Sequence, residues 1–216
     1  CCMQLVALAQ SDVVVVQRSA LRCIAALALH TASKEELLAE GALSLLLELL
    51  EGTLYVPASS SYLRPLQIAR LLCVRRLAAT ALANLSEDHL AVQASLVAQG
   101  ALPRLLAPLQ RHNAAHAAAE ERKAKGEPTT AEASASAAAR AAADVGATLD
   151  GRSREQLVRC YANLCLNEVN HSEVLASALL PELAATARRG SRLERRLCAL
   201  LISNLAPNTE THALLT

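Results

Sequence analysis

An all-α fold built as a stack of similar helical units follows from three features of this sequence. Hydrophobic residues fill 53% of 216 positions, yet there is no Phe, no Trp and only three Tyr, so Leu, Ala and Val must build the core. Leu and Ala are strong helix formers, which points away from a sheet. Finally, one order of elements recurs along the chain. It is plainest in the stretch 75–109, RRLAATALANLSEDHLAVQASLVAQGALPRLLAPL, where a long apolar-periodic segment closes at Ala83-Asn84-Leu85. A shorter segment then runs from Ser86 to Gln99, Gly100 breaks the chain, and a third helix follows from Ala101 to Leu109. Pro103 falls in the first turn of that third helix, where its missing N–H breaks no ladder bond. In such a stack each unit buries its apolar face against its neighbours, so one array accommodates the whole length.

Taken in order, residues 1–10 (CCMQLVALAQ) read as the tail of a helix, as expected for a piece of a longer polypeptide opening Cys-Cys-Met. Ser11-Asp12 can cap a helix from Val13 to His30, because ALRCIAALAL gives the Val run helical length and no turn signal. Ser33 and Glu36 have capping-box spacing for a short helix ending near Gly41, and ALSLLLELLE follows. Residues 52–65 hold two prolines and a serine cluster and read as a loop before a long helix from Leu66 to Leu85. Residues 112–151 are rich in Ala, Glu, Lys and Ser, with Gly126 and Pro128 in the middle, and read as a flexible insertion, helical in part. Two more capping boxes, Ser153 with Gln156 and Ser191 with Glu194, accompany helices near 154–166, 168–177, 179–189 and 192–206. A last helix opens at Asn208. The units therefore span about 1–30, 33–86, 88–166, 168–206 and a partial 208–216.

The spacing of one triplet tests the repeat. Ala83-Asn84-Leu85, Ala162-Asn163-Leu164 and Ser203-Asn204-Leu205 each close a long helix. Asn163 and Asn204 are 41 positions apart; Asn84 and Asn163 are 79 apart, and the excess matches the Ala-rich insertion. In the first unit the equivalent place reads as Ala28, 56 before Asn84, with an excess matching the 52–65 loop. Both insertions then fall at the same joint, between the second and third helices of a unit.

A period near 41 with three helices per unit resembles the armadillo repeat, the two-helix HEAT repeat being the alternative. The residues carrying the likeness are Gly41-Ala42-Leu43, Gly100-Ala101-Leu102-Pro103 and Ala81-Leu82-Ala83-Asn84-Leu85; later units are weaker, since Ser177-Ala178-Leu179-Leu180-Pro181 lacks the Gly. The resemblance covers all but the two insertions. It implies a right-handed superhelical α-solenoid of armadillo-type three-helix repeats, with a concave groove for protein partners. It also implies that the amides of Asn84, Asn163 and Asn204 bond the backbone of an extended peptide, offering donor and acceptor together. Ala28 leaves the first unit without this group. The other reading is that each Asn bonds its own solenoid at a helix end.

One and two turns before each Asn stand Thr80 and Arg76, Arg159 and Glu155, and Leu200 and Arg196. Import receptors of this family place Trp one turn before the Asn; none is present, so a basic signal is not the expected ligand. Arg76, Arg159 and Arg196 point to an acidic segment, as in the catenin branch, against the bland reading of a solvated Arg face. Arg188, Arg189, Arg192, Arg195 and Arg196 cluster near the third capping box, as an exposed turn or a dock for an acidic surface.

No nucleophile elbow, phosphate-cradling Gly-rich loop or His-Glu-x-x-His occurs, so no catalytic residue and no cofactor is expected. His112 and His116 have ligand spacing but no third ligand nearby, so the expectation is a solvated segment and no metal. Four of the seven cysteines lie on apolar helix faces, as free buried thiols would; Cys160 and Cys165 belong there. A net charge of +1 and the lack of aromatics argue against nucleic acid. No apolar run reaches membrane-span length. The expectation is a non-catalytic protein-interaction scaffold or adaptor, cytoplasmic, in a larger complex, with the nucleus left open. The alternatives are a structural part of a cytoskeletal or ciliary assembly and, more distantly, the regulatory region of an enzyme.

Overall fold

In the computed structural model, residues 1–51, 65–125 and 149–207 are described. Residues 52–64 of the expected 52–65 loop, the middle of the Ala-rich insertion and the final helix from 208 lie outside them, while Pro65, expected in the loop, opens a helix. Among the described residues there are eleven α-helices, one 3-10 turn and no strand. They are α1 Cys2–Leu8, α2 Val14–Leu27, α3 Thr31–Ala39, α4 Ala42–Glu51, α5 Pro65–Leu85, α6 Leu90–Ala98 and α7 Ala101–Ala124. Beyond the insertion come α8 Gly151–Leu164, the 3-10 turn Glu168–Asn170, α9 His171–Ala176, α10 Leu179–Arg189 and α11 Arg192–Leu205.

The chain is an all-α solenoid. Its long helices α2, α5, α8 and α11 stack side by side in chain order. A second row is formed by α4, α7 and α10, and the short α3 and α6 with the 3-10 turn make a third, α3 meeting the head of α6 through Glu35 and His89 at 3.5 Å. Leu and Ala fill the shared core, and Tyr161 is the largest fully buried side chain. Its hydroxyl donates to the Leu102 carbonyl at 2.6 Å, tying α8 to α7. That bond is what makes a buried phenol tolerable among aliphatic side chains.

The breaks between first and second helices are set by backbone stereochemistry. Gly41 and Gly100 take φ of 77° and 75°, the left-handed region where a Cβ costs energy. Each ends a short helix and turns the chain into the next, so the glycines read from the sequence occupy positions only glycine adopts without strain.

Several helix starts differ from expectation. Ser33 does not cap α3, which begins two residues earlier at Thr31. Asp150, not Ser153, caps α8, its carboxylate accepting from the Ser153 N–H at 2.6 Å, and Ser153 is itself buried. Ser86 caps nothing: its buried hydroxyl donates back to the Ala83 carbonyl at 2.9 Å, and α6 opens at Leu90, capped by the His89 ring. Ser191 and Glu194 do form the full capping box at the head of α11.

The largest difference concerns the start of the Ala-rich insertion. Helix α7 does not stop at Leu109 but runs past Pro108 to Ala124. Ala is the best helix former, and the extension has tertiary partners. Asn113 donates to Glu182 Oε2 at 2.7 Å, and Arg189 pairs with Glu120 at 2.9 Å, so the extension lies against α10. His112, expected in a solvated segment, is 6% exposed.

Candidate functional site

The long-helix face is where the candidate residues converge, and the asparagine positions organise it. The long helices α2, α5 and α8 end in the same way. Backbone N–H groups at the end of α8 go from Cys165 to the Tyr161 carbonyl and from Leu166 to the Asn163 carbonyl, so the Ala162 carbonyl between them receives no backbone donor. The ends of α5 and α2 repeat this, skipping Ala83 and Ala25. A helix end buried without partners for its carbonyls is costly. Here the next long helix supplies the missing donor. Asn204 Nδ2 reaches Ala162 O at 3.0 Å, Asn163 Nδ2 reaches Ala83 O at 3.1 Å, and Asn84 Nδ2 reaches Ala25 O at 2.8 Å.

The three asparagines therefore form a ladder of staples between consecutive units. Both ends of the Asn84 amide are engaged, since Arg159 Nη2 donates to its Oδ1 at 3.2 Å, and the residue is 6% exposed. Asn163 also donates to Ser86 Oγ at 3.2 Å. No hydrogen bond reaches the Oδ1 atoms of Asn163 and Asn204 among the described residues, and both side chains are half-buried.

This pattern corrects the register of the first unit. Asn163 and Asn204 each bond the residue just before the preceding ladder position, Ala83 before Asn84 and Ala162 before Asn163. Asn84 bonds Ala25, so the equivalent position in α2 is Ala26 and not Ala28. Helix ends agree: Ala26 is next to last in α2, as Asn84, Asn163 and Asn204 are in α5, α8 and α11. Sequence reasoning missed this because α2 carries no Asn to align. The consequence is chemical, for Arg22 and Arg18 now stand one and two turns before the ladder position.

The remaining predicted residues divide by their partners. Thr80 is half-buried and donates to the Arg76 carbonyl at 2.8 Å, a local helix bond. Arg159 pairs with Glu87 Oε2 at 2.7 Å, on the turn after α5, so its charge is met within the array. Arg76 is half-buried and Arg196 exposed, and neither guanidinium has a partner among the described residues. Glu155 accepts from Ser191 Oγ at 3.0 Å. Across the four long helices the chain places eleven arginines and only two glutamates, Glu155 and the fully buried Glu194. With a net charge of +1 overall, those helices are basic, although Arg75 turns inward to the Glu51 carbonyl and Arg154 to Glu194; the other described acidic residues lie on the short and middle helices and the turns.

A second polar cluster joins α7, α8 and α11. Glu194, 0% exposed, pairs with Arg154 at 2.7 Å, and its other oxygen takes the Ser191 N–H at 2.5 Å. His112 Nε2 lies against Nη1 of Arg154, while Nδ1 accepts from the Leu149 N–H at 3.1 Å. Burial, then the Arg154 and His116 charges, push the His112 pKa down to about 4. His112 and His116 ring centres lie 6.3 Å apart, and no His, Cys, Asp and Glu grouping able to hold a metal occurs among the described residues. Burial pushes the Cys160 thiol up to about 11 and the Cys165 thiol up to about 12. Both are buried and free.

Among the described residues no single helix is long and apolar enough to cross a membrane. No family model matches the chain, and neither does any curated protein. Among solved structures it is similar to a designed armadillo repeat protein, at 19% identity over 96% of this chain and 84% of that one, with a TM-score of 0.44. It is also similar to an engineered protein at 19% identity, over 94% and 98% of the two chains, with a TM-score of 0.30.

Proposed function

We propose that this chain is an armadillo-type array acting as a non-catalytic scaffold that holds an extended acidic segment of a protein partner along its long-helix face. One observation carries the reading: eleven arginines stand against two glutamates on those helices, one of the glutamates being fully buried. Arg76 and Arg196 carry charge with no partner among the described residues and would meet carboxylates. The open Oδ1 atoms of Asn163 and Asn204 would accept ligand N–H groups, while Thr80 lines the wall on α5, one turn before Asn84. Asn84 and Arg159, engaged with each other and with Ala25 and Glu87, hold the wall itself. A binding role fits the state of the reactive groups as well. The buried thiols are kept protonated, and His112 is occupied by the Leu149 N–H.

The test is fluorescence anisotropy with a labelled peptide of twelve glutamates. Binding should weaken steeply with salt, and Arg76→Glu combined with Arg196→Glu should weaken it about tenfold or more. Equal binding of a twelve-lysine peptide, or no effect of the double variant, would overturn the reading.

A further inference from the structure

The register set by the Asn84 staple makes the long-helix face more specific than a uniform basic wall. Arg18 and Arg22 lie eight and four residues before Ala26, as Arg76 and Thr80 lie before Asn84, and α2 packs directly on α5. Residues at equal offsets on adjacent helices share a level, so Arg18, Arg22 and Arg76 stand at neighbouring levels of one face. Neither α2 nor α5 contains an acidic residue. Arg22 is exposed, and none of the three guanidiniums has a partner among the described residues. The Nε of Arg18 is even buried with no hydrogen-bond partner there.

The next step along the wall is different. On α8, Arg159 is matched by Glu87 at 2.7 Å and Arg154 by Glu194 at 2.7 Å. The two charges left, Arg152 and Glu155, have opposite sign three positions apart, about one helical turn. Helix α8 is therefore electrically closed. One step on, α11 presents Arg192 and Arg196, four apart and both exposed, without partners among the described residues.

We infer that this face holds two anion subsites, Arg18–Arg22–Arg76 on α2 and α5 and Arg192–Arg196 on α11, separated by the neutral step of α8, and that its ligand is an extended peptide with two acidic clusters. This rests on the scaffold reading above and adds a length to it. Neighbouring helix axes lie about 8–10 Å apart, so α5 and α11 are separated by about 16–20 Å. An extended chain rises about 3.3 Å per residue, so five or six residues span the gap. The two acidic clusters must stand that far apart. Linking two weak contacts at the matched distance raises affinity without a new contact, and the gain falls away when the linker cannot span.

The experiment uses labelled peptides with two Glu-Glu-Glu clusters separated by one, six or twelve Gly/Ser residues, together with a single-cluster peptide. The six-residue spacer should bind about tenfold or more tightly than the one-residue spacer and the single cluster. Arg22→Glu should lower the six-spacer peptide to the level of the single cluster, as should Arg196→Glu. Circular dichroism checks that both exposed substitutions leave the helices intact. If affinity follows total charge alone, and Arg76→Glu weakens every peptide equally, the two-subsite inference falls while the scaffold reading stands. If no acidic peptide binds and no substitution matters, both fall.

Discussion

Replacing Asn84 with alanine probes the staple between units. The side chain is buried and donates to the Ala25 carbonyl at 2.8 Å, which receives no backbone N–H. Alanine strands that carbonyl without a donor, at a cost of about 1–3 kcal/mol. Arg159 loses one acceptor but keeps Glu87 at 2.7 Å, so this second effect is smaller. For a chain of this size each kcal/mol lowers the unfolding midpoint by about 2–4 °C. Urea and thermal unfolding followed by circular dichroism give the total loss. Amide hydrogen exchange locates it: the Ala28 and Leu29 N–H groups at the end of α2 should lose protection, and those of α11 should not. A variant within about 0.5 kcal/mol of the parent, the usual range for an exposed change, would refute the claim that this amide completes α2. Protection lost evenly along the array would refute it as well.

Other perturbations follow from the same structure. Gly100→Ala forces an L side chain into φ of 75° and should cost about 1–2 kcal/mol in urea unfolding. His112 binds its proton less readily when folded, its pKa lying at about 4 against 6.5, so the unfolded chain takes up more protons between those values. Stability contributed by this residue is present above pH 6.5 and is lost as pH falls toward 4; His112→Gln should flatten that limb of the pH–stability curve. Arg154→Ala leaves the fully buried Glu194 carboxylate without its cation and should cost about 3–5 kcal/mol at neutral pH. Arg154→Lys should restore part of that loss; a neutral result for alanine would show that the pair is solvated.

The core and the order of units were legible in the sequence because they depend on periodicity and on glycine stereochemistry. Leu and Ala spacing located the helices, and Gly41 and Gly100 marked their breaks at positions with positive φ. What stayed hidden was set by partners distant in sequence. Ser33 has capping-box spacing, yet the buried Lys34 donates to the Glu87 carbonyl from the neighbouring unit, and α3 already begins at Thr31. Ser153 lost its role to Asp150 because either could accept at a helix start, and no local rule ranks them. For 112–124, an Ala-rich run reads alike whether solvated or continuing a helix; Glu182 and Arg189 decide it from α10. On the site, the asparagines and arginines were visible as types. Their commitments were not, since Ala25, Ala83 and Ala162 lie 59, 80 and 42 positions from the amides they receive.

The amide staples give the molecule a direction. Every one of them reaches backward, so a unit's final turn is finished by side chains made later in synthesis. As the polypeptide leaves the ribosome, α2 must wait for Asn84 and α5 for Asn163, and closure proceeds like a zip drawn from the amino end. Shortening the array from its carboxyl end undoes a neighbour that was already complete, whereas trimming the other end leaves every surviving turn with the donor it needs.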